Sequence, residues 1–413
     1  MSTEVAGGPK IWQDKKRHLW LLGLVVPTML FLVLPLVWAL NKAGLPTAAQ
    51  LPLYIGPILL YVILPALDLM IGADGQNPPD EVMDALENDK YYRYATYAYI
   101  PFQYASAIFG AYLFTASDLG WLGFDGSLGW LGKIGVAMTT ATVAGVGINT
   151  AHELGHKRES LERWLAKITL AQVCYGHFYV EHNRGHHVRV ATPEDPASSR
   201  FGETFWEFLP RSTAGGIRSA WELEAQRIRR TGKSPWDPRT WAGNDAINAL
   251  AMSIVFWGVM IAVFGVALVP YVLINAFYGS SLLESVNYLE HYGLVRQKQA
   301  SGRYERCTPQ HSWNSDHIVT NLFLYHLQRH SDHHANPTRR YQTLRSFDDS
   351  PNLPAGYGAL IGVTYFPMVW RKLMDHRVLE HYSGDITRAN ISPRRRAKIL
   401  AHYGATGTEQ VAA

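Results

Sequence analysis

Six stretches of this chain are apolar over the length that a bilayer core demands, about 20 residues of helix. They fall near 19–40, 51–71, 94–116, 131–151, 246–267 and 268–288. The first, LWLLGLVVPTMLFLVLPLVWAL, is too long for the apolar core of a cleaved signal peptide, although Lys15, Lys16 and Arg17 precede it in signal-like fashion. The fourth is rich in Gly, Ala and Thr and predicts a helix that packs closely on its neighbours. The last two are nearly continuous, and Val269-Pro270 predicts a hairpin or kink between them.

Basic residues orient this bundle. Lys10, Lys15, Lys16 and Arg17 precede the first span, whereas the loops at 41–50 and 117–130 hold Lys42 alone. The positive-inside rule then puts the N-terminus in the cytoplasm, and the acidic loop at 72–90 carries little weight in that rule. Six crossings return the chain to the same side. The expected organisation is a cytoplasmic N-terminus (1–18), four transmembrane helices (19–151), a cytoplasmic region (152–245), two further spans (246–288), a second cytoplasmic region (289–402) and a disordered tail (403–413). The polar regions read as mostly helical, with long mixed stretches at 159–180 and 203–231, and RTGKSPWDPRTW at 230–241 reads as a linker. The fold class is an all-α six-helix membrane bundle with a cytoplasmic helical cap.

Composition agrees with that division. Hydrophobic residues make up 47% and charged residues 17% of the chain, so an apolar half is diluted by a polar one. The net charge of +4 is small and dispersed, which argues against nucleic acid as a partner. Two cysteines, Cys174 and Cys307, offer no disulfide framework, zinc ribbon or iron–sulfur cluster, and they fit a reducing compartment.

The chemistry lies in histidine. Of 17 in the chain, nine fall in HELGHK (152–157), EHNRGHH (181–187), NYLEHYG (287–293) and LQRHSDHHA (327–335). Imidazole is the commonest side-chain metal ligand, and all four clusters sit at the cytoplasmic ends of spans or just beyond them. His152 and His156 are four apart and share one helix face. His182 and His186 repeat that spacing, with His187 pointing elsewhere, and His330, His333 and His334 combine both arrangements. Neighbours on a helix diverge by about 100°, so each His-His pair can serve two metal ions, and a dinuclear centre follows, with His291 as ninth ligand. The i,i+4 pair around Glu153 is shared with zinc proteases, where that residue would be a general base. Such a site needs one further ligand, whereas this chain offers seven. His18, His376, His381 and His402 stand alone and read as non-ligands; His177, His311, His317 and His326 lie near the clusters as candidate supports. Glu153, Glu181, Glu290 and Asp332 each neighbour a candidate ligand, either orienting imidazoles or standing as solvated charges.

The four motifs resemble those of the membrane alkane 1-monooxygenases, the AlkB-type alkane hydroxylases, which share a superfamily with membrane fatty acid desaturases. The resemblance extends to NPPDEV (78–83), TPEDPASSR (192–200), which adds Asp195, and HSWNSDH (311–317), which contains His311. It implies two non-haem irons on the nine histidines and O2-dependent hydroxylation of the terminal methyl of a medium-chain n-alkane to a 1-alkanol. It also implies electrons from rubredoxin, itself reduced by a rubredoxin reductase, and a multi-pass place in the bacterial cytoplasmic membrane. The chain shows no nicotinamide or flavin motif, and two cysteines cannot build a rubredoxin site. The donor is therefore expected to be separate, with Arg227, Arg229, Arg230 and Lys233 a candidate dock for it or for anionic lipid headgroups. Terminal attack on a strong methyl C–H requires a narrow apolar tunnel. Leu60, about 16 Å along α-helix from the cytoplasmic end of the second span, is the expected gauge of chain length. An acyl desaturase or hydroxylase on the same scaffold is the rival enzyme. A histidine-relay metal transporter would place its ionisable residues inside the spans.

Overall fold

Every regular element among residues 12–403, which the computed structural model describes, is helical, with only isolated bridges such as Asn314–Asn352. Lys10 and residues 404–413 of the expected tail lie outside the described residues. In chain order the helices that matter here are α1 (Leu19–Lys42), α2 (Ala48–Ile71), α3 (Lys90–Thr115), α4 (Trp130–Gly155), α5 (Ser160–Ala171), α6 (178–189), α7 (Phe205–Arg229), α8 (Asp245–Phe264), α9 (Val266–His291), α10 (Ile318–Phe323), α11 (His330–Ala335), α12 (Tyr357–Thr364) and α13 (Pro367–His381).

Five of these, α1, α2, α4, α8 and α9, are long and apolar enough to cross a membrane. The other expected span falls in α3, which has the length, at 26 residues, but opens on the polar run KYYRY. Large apolar side chains such as Leu32, Val62, Leu69, Val255, Val263 and Phe277 face outward from the spans. Such belts are stable against lipid, and with backbone bonds closed inside each helix they mark a multi-pass membrane protein.

Side-chain caps set several starts. Asp89 accepts from the Tyr91 N–H to open α3, and Asn244 accepts from Ala246 and Ile247 to open α8. Thr204 and Glu207 form a reciprocal capping box at the start of α7. At the centre stands α4, whose apolar window is 72% buried, against 22% for α8. It packs most extensively on α9, then on α2, α5 and α3. A Cβ on Gly145 would stand 3.0 Å from the Gly279 carbonyl oxygen, so small residues allow the α4 and α9 backbones to approach.

Three expectations need correction. The α8–α9 break is at Gly265, whose φ of +82° favours glycine, and not at Val269-Pro270. Pro270 sits in a first helical turn, where a missing N–H leaves nothing unsatisfied. The membrane helices also run past their expected ends: α4 continues through His152 and Glu153, and α9 through Glu290 and His291. The bundle and the cap therefore share continuous helices. Tyr403, the first residue of the expected tail, is packed, its ring 6.0 Å from that of Phe201.

Candidate metal centre

Four segments converge. The C-terminal turn of α4 brings His152 and His156, α6 brings His182, His186 and His187, the end of α9 brings His291, and α11 brings His330, His333 and His334. Their donor nitrogens form two groups, each with all atoms within 4.8 Å of one another: His152, His156, His182, His187 and His333 in one, His186, His291, His330 and His334 in the other. The adjacent pairs His186-His187 and His333-His334 are split between the groups, as diverging neighbours on a helix must be.

The pairing inside EHNRGHH differs from the sequence expectation. His182 and His186, four apart, fall in different groups. Residues His182–His186 form a π turn, which widens the helix, so His182 pairs with His187 instead and their Nε2 atoms stand 3.1 Å apart.

The donor set suits a cation in each group. The Nε2 atoms of His187 and His333 are 3.1 Å apart, those of His291 and His330 3.3 Å, and those of His330 and His334 2.8 Å. Ligand nitrogens about 2.0–2.1 Å from a metal lie about 2.8–3.4 Å from each other, so the spacing fits. The Nε2 atoms of His152, His156 and His186 are buried without hydrogen-bond partners. Burial first, then the neighbouring imidazoles, hold His182, His187, His330, His333 and His334 well below the usual histidine value. Neutral rings with lone pairs aimed at a common point repel one another unless a cation stands between them.

The carboxylates take distinct parts. Asp195 accepts from His186 Nδ1 at 2.8 Å and from the Ser198 hydroxyl at 2.6 Å. A carboxylate can only accept here, so His186 carries its proton on Nδ1 and its lone pair on Nε2, facing the group. Glu290 does not orient a ring from behind: its Oε2 is 3.1 Å from His330 Nε2, among the donor atoms themselves, while Oε1 accepts from the Tyr357 hydroxyl at 2.9 Å. Glu153 is not a solvated charge: it is buried, and Lys157 holds it at 3.0 Å. Asp332 braces its loop through Arg339 and the Arg345 N–H. Glu181 accepts from Arg189 at 2.7 Å, and burial pushes its carboxyl up to about 7.

The other histidines stay out of both groups. His311 closes a turn with Thr308 and Glu305, His317 meets Ser315, and His326 meets the Tyr341 carbonyl and the Trp20 ring. His18, His376 and His402 are exposed and His381 is half-buried. Of the basic residues on and after α7, Arg227, Arg229, Arg230 and Lys233 are all exposed, and Arg227 also reaches back to Glu224 at 2.7 Å.

A narrow cavity leads from the bundle to the histidines. Leu60, Val146, Leu282, Val286, Leu327 and Ile361 form apolar walls, and it reaches His152, His182, His330 and Glu290. Leu60, in a π turn of α2 (Leu59–Ile63), is 3% exposed and on this wall.

Comparison with known proteins gives the lineage. The fatty acid desaturase family profile matches residues 128–365. The alkane 1-monooxygenase of Acinetobacter baylyi is 45% identical, with 95% of this chain and 92% of that protein covered. Alkane 1-monooxygenase 1 of Alcanivorax borkumensis is 43% identical over 96% of this chain and 93% of its own. This chain belongs to the alkane 1-monooxygenase family. The similarity also reaches the xylene/toluene monooxygenase hydroxylase component of Pseudomonas putida, 27% identical over 58% of this chain and 63% of that protein.

Within this alkane 1-monooxygenase family member, sequence reasoning passed over Glu284 and Asn287 on α9 and Tyr175 before α6. The signal for Glu284 was present: a carboxylate inside an otherwise apolar span is a functional flag by itself. Tyr175 carried no such signal, since the turn that brings it to Glu284 is not periodic.

Proposed function

We propose that the protein is a membrane non-haem diiron monooxygenase converting medium-chain n-alkanes to 1-alkanols with O2, using electrons from rubredoxin and its reductase. The observation that carries this reading is the apolar cavity ending on both histidine groups. His152, His156, His182, His187 and His333 would hold one iron, and His186, His291, His330 and His334 the other. Iron held by these imidazoles would supply the redox activation of O2.

The chain's own residues supply position. Internal C–H bonds are weaker than those of a terminal methyl, so terminal selectivity is a matter of which carbon arrives. Leu60, Leu282, Val286 and Ile361 would hold an alkane lengthwise, with its end toward His152, His182 and His330, and their packing would exclude water from the reacting carbon. The described lining contains no Lys or Arg, so an acyl carboxylate or a thioester carrier's phosphate finds no counter-charge there. That favours a hydrocarbon over the acyl substrate of a desaturase. Lipid is itself the reservoir from which such a substrate enters.

We place both termini and the site on the cytoplasmic face by the positive-inside reading, in a bacterial inner membrane as the family resemblance implies. Arg229, Arg230 and Lys233 are candidates to steer an acidic rubredoxin. Product analysis with purified protein, rubredoxin and reductase tests the reading. Octane yielding 1-octanol supports it, and an acyl substrate yielding an alkene while octane is untouched favours the desaturase.

A further inference from the structure

The apolar cavity has a polar neighbour. A second cavity shares Phe178, His182 and Asn287 with it and is otherwise lined by the polar side chains of Tyr175, His177, Glu181, His186, Ser212 and Glu284, together with Pro196, Ala197 and Gly216. Glu284 belongs to the membrane helix α9 and is 3% exposed. Its Oε1 accepts from the Tyr175 hydroxyl at 2.6 Å, and its Oε2 is buried without a hydrogen-bond partner. The Tyr175 oxygen is also 3.3 Å from the hydroxyl of Thr213, which is partly exposed on α7. Thr213, Tyr175 and Glu284 thus form a line of hydroxyls from the surface to a carboxyl with one idle oxygen. Asn287, one turn along α9, brings its amide to 3.5 Å of Glu284 Oε1.

The hydroxylation proposed above needs such a line. It balances as R–H + O2 + 2 e⁻ + 2 H⁺ → R–OH + H2O. One C–H bond and the O–O bond break and one C–O bond forms. The hydrogen from carbon ends in the product hydroxyl, both protons end in water, and the electrons come from a one-electron protein donor. Those protons must reach a buried centre, and the carboxyl that lines the apolar cavity, Glu290, is already engaged by the Tyr357 hydroxyl and by His330 Nε2. Of the two carboxylates in the polar cavity, Glu181 has an unpartnered Oε2 as well, but its Oε1 is held by Arg189, whereas Glu284 is the one joined to the hydroxyls of Tyr175 and Thr213.

We propose that Glu284 delivers protons to the histidine centre across the polar cavity and regains them through the hydroxyls of Tyr175 and Thr213. This inference rests on the hydroxylase reading. A bland alternative is that Glu284 only ties Tyr175 to α9. Glu284→Gln separates the two, because the amide oxygen still accepts from Tyr175 and fills the same space but has no proton to give.

Two measurements on the iron-loaded, full-length protein in lipid nanodiscs test this. In infrared difference spectra of resting enzyme in H2O and D2O, the wild type is expected to show an exchangeable carboxyl band that is absent from Glu284→Gln. Tyr175→Phe should keep that band and slow its exchange. In turnover with octane, Glu284→Gln should keep its iron and its KM and lose about 100-fold in kcat, with O2 consumption uncoupled from alkanol and a larger solvent isotope effect. Glu284→Asp should restore part of the rate. Absence of the band, or a Glu284→Gln enzyme with wild-type rate, coupling and isotope effect, overturns the proposal. The infrared readout needs neither substrate nor donor. A wild type that hydroxylates no alkane therefore defeats the hydroxylase reading separately.

Discussion

The Nε2 atoms of His182 and His187 lie 3.1 Å apart across a π turn, and this one widened turn sends His186 to the other group. An α-helical turn would have paired His182 with His186. Deleting Arg184, inside the turn, would put His182 and His187 four apart, where an α-helical turn keeps the pair; inserting an alanine after Arg184 puts them six apart and should scatter the three donors. The expected result is loss of bound metal with little change in helical circular dichroism, checked by metal analysis of the purified variant.

Asp195 fixes which nitrogen of His186 is free. Asp195→Asn keeps a carbonyl acceptor for the Nδ1 proton, and Asp195→Leu does not. Metal affinity should fall roughly 10- to 100-fold in the leucine variant and distinctly less in the asparagine one, measured by chelator competition. Equal loss in both would show that charge, not orientation, is what Asp195 contributes.

Much of this was legible beforehand. The apolar runs marked the spans because lipid leaves few alternatives, and the diverging His-His pairs announced two groups. Gly265 was hidden because Val269-Pro270 looked the stronger breaker, although proline in a first turn breaks nothing. The π turn has no signature in residue spacing, so the pairing of His182 went to the wrong partner. Glu290 looked like a neighbour that would sit behind a ring, and only the end of α9 aims it at His330 Nε2.

Leu60 should gauge chain length. Leu60→Trp is expected to cut turnover of hexadecane far more than that of octane, because the larger ring shortens the space above His152 and His182. Competition between the two alkanes, read as product ratio, checks this. A uniform loss across chain lengths would indicate overpacking of α2 against α12 instead.

The start of α7 should carry a pH dependence. Hydrogen bonds from Arg395 lead, against burial, in holding Glu207 down to about 2. A carboxyl depressed in the folded state stabilises it above the unfolded value, about 4.5, and that contribution is lost as pH falls through the folded value. Glu207→Gln should therefore lower the Tm at pH 7 more than at pH 3, measured by differential scanning fluorimetry in detergent.

The most direct test of the two-iron alkane hydroxylase is oxidation of octane under ¹⁸O2 with rubredoxin and its reductase, on protein whose metal content has been measured. The account expects two irons per chain and 1-octanol carrying one labelled oxygen, with both lost in His291→Ala and kept in His402→Ala. Unlabelled product, internal alcohols as the main product, or full activity in His291→Ala would contradict it.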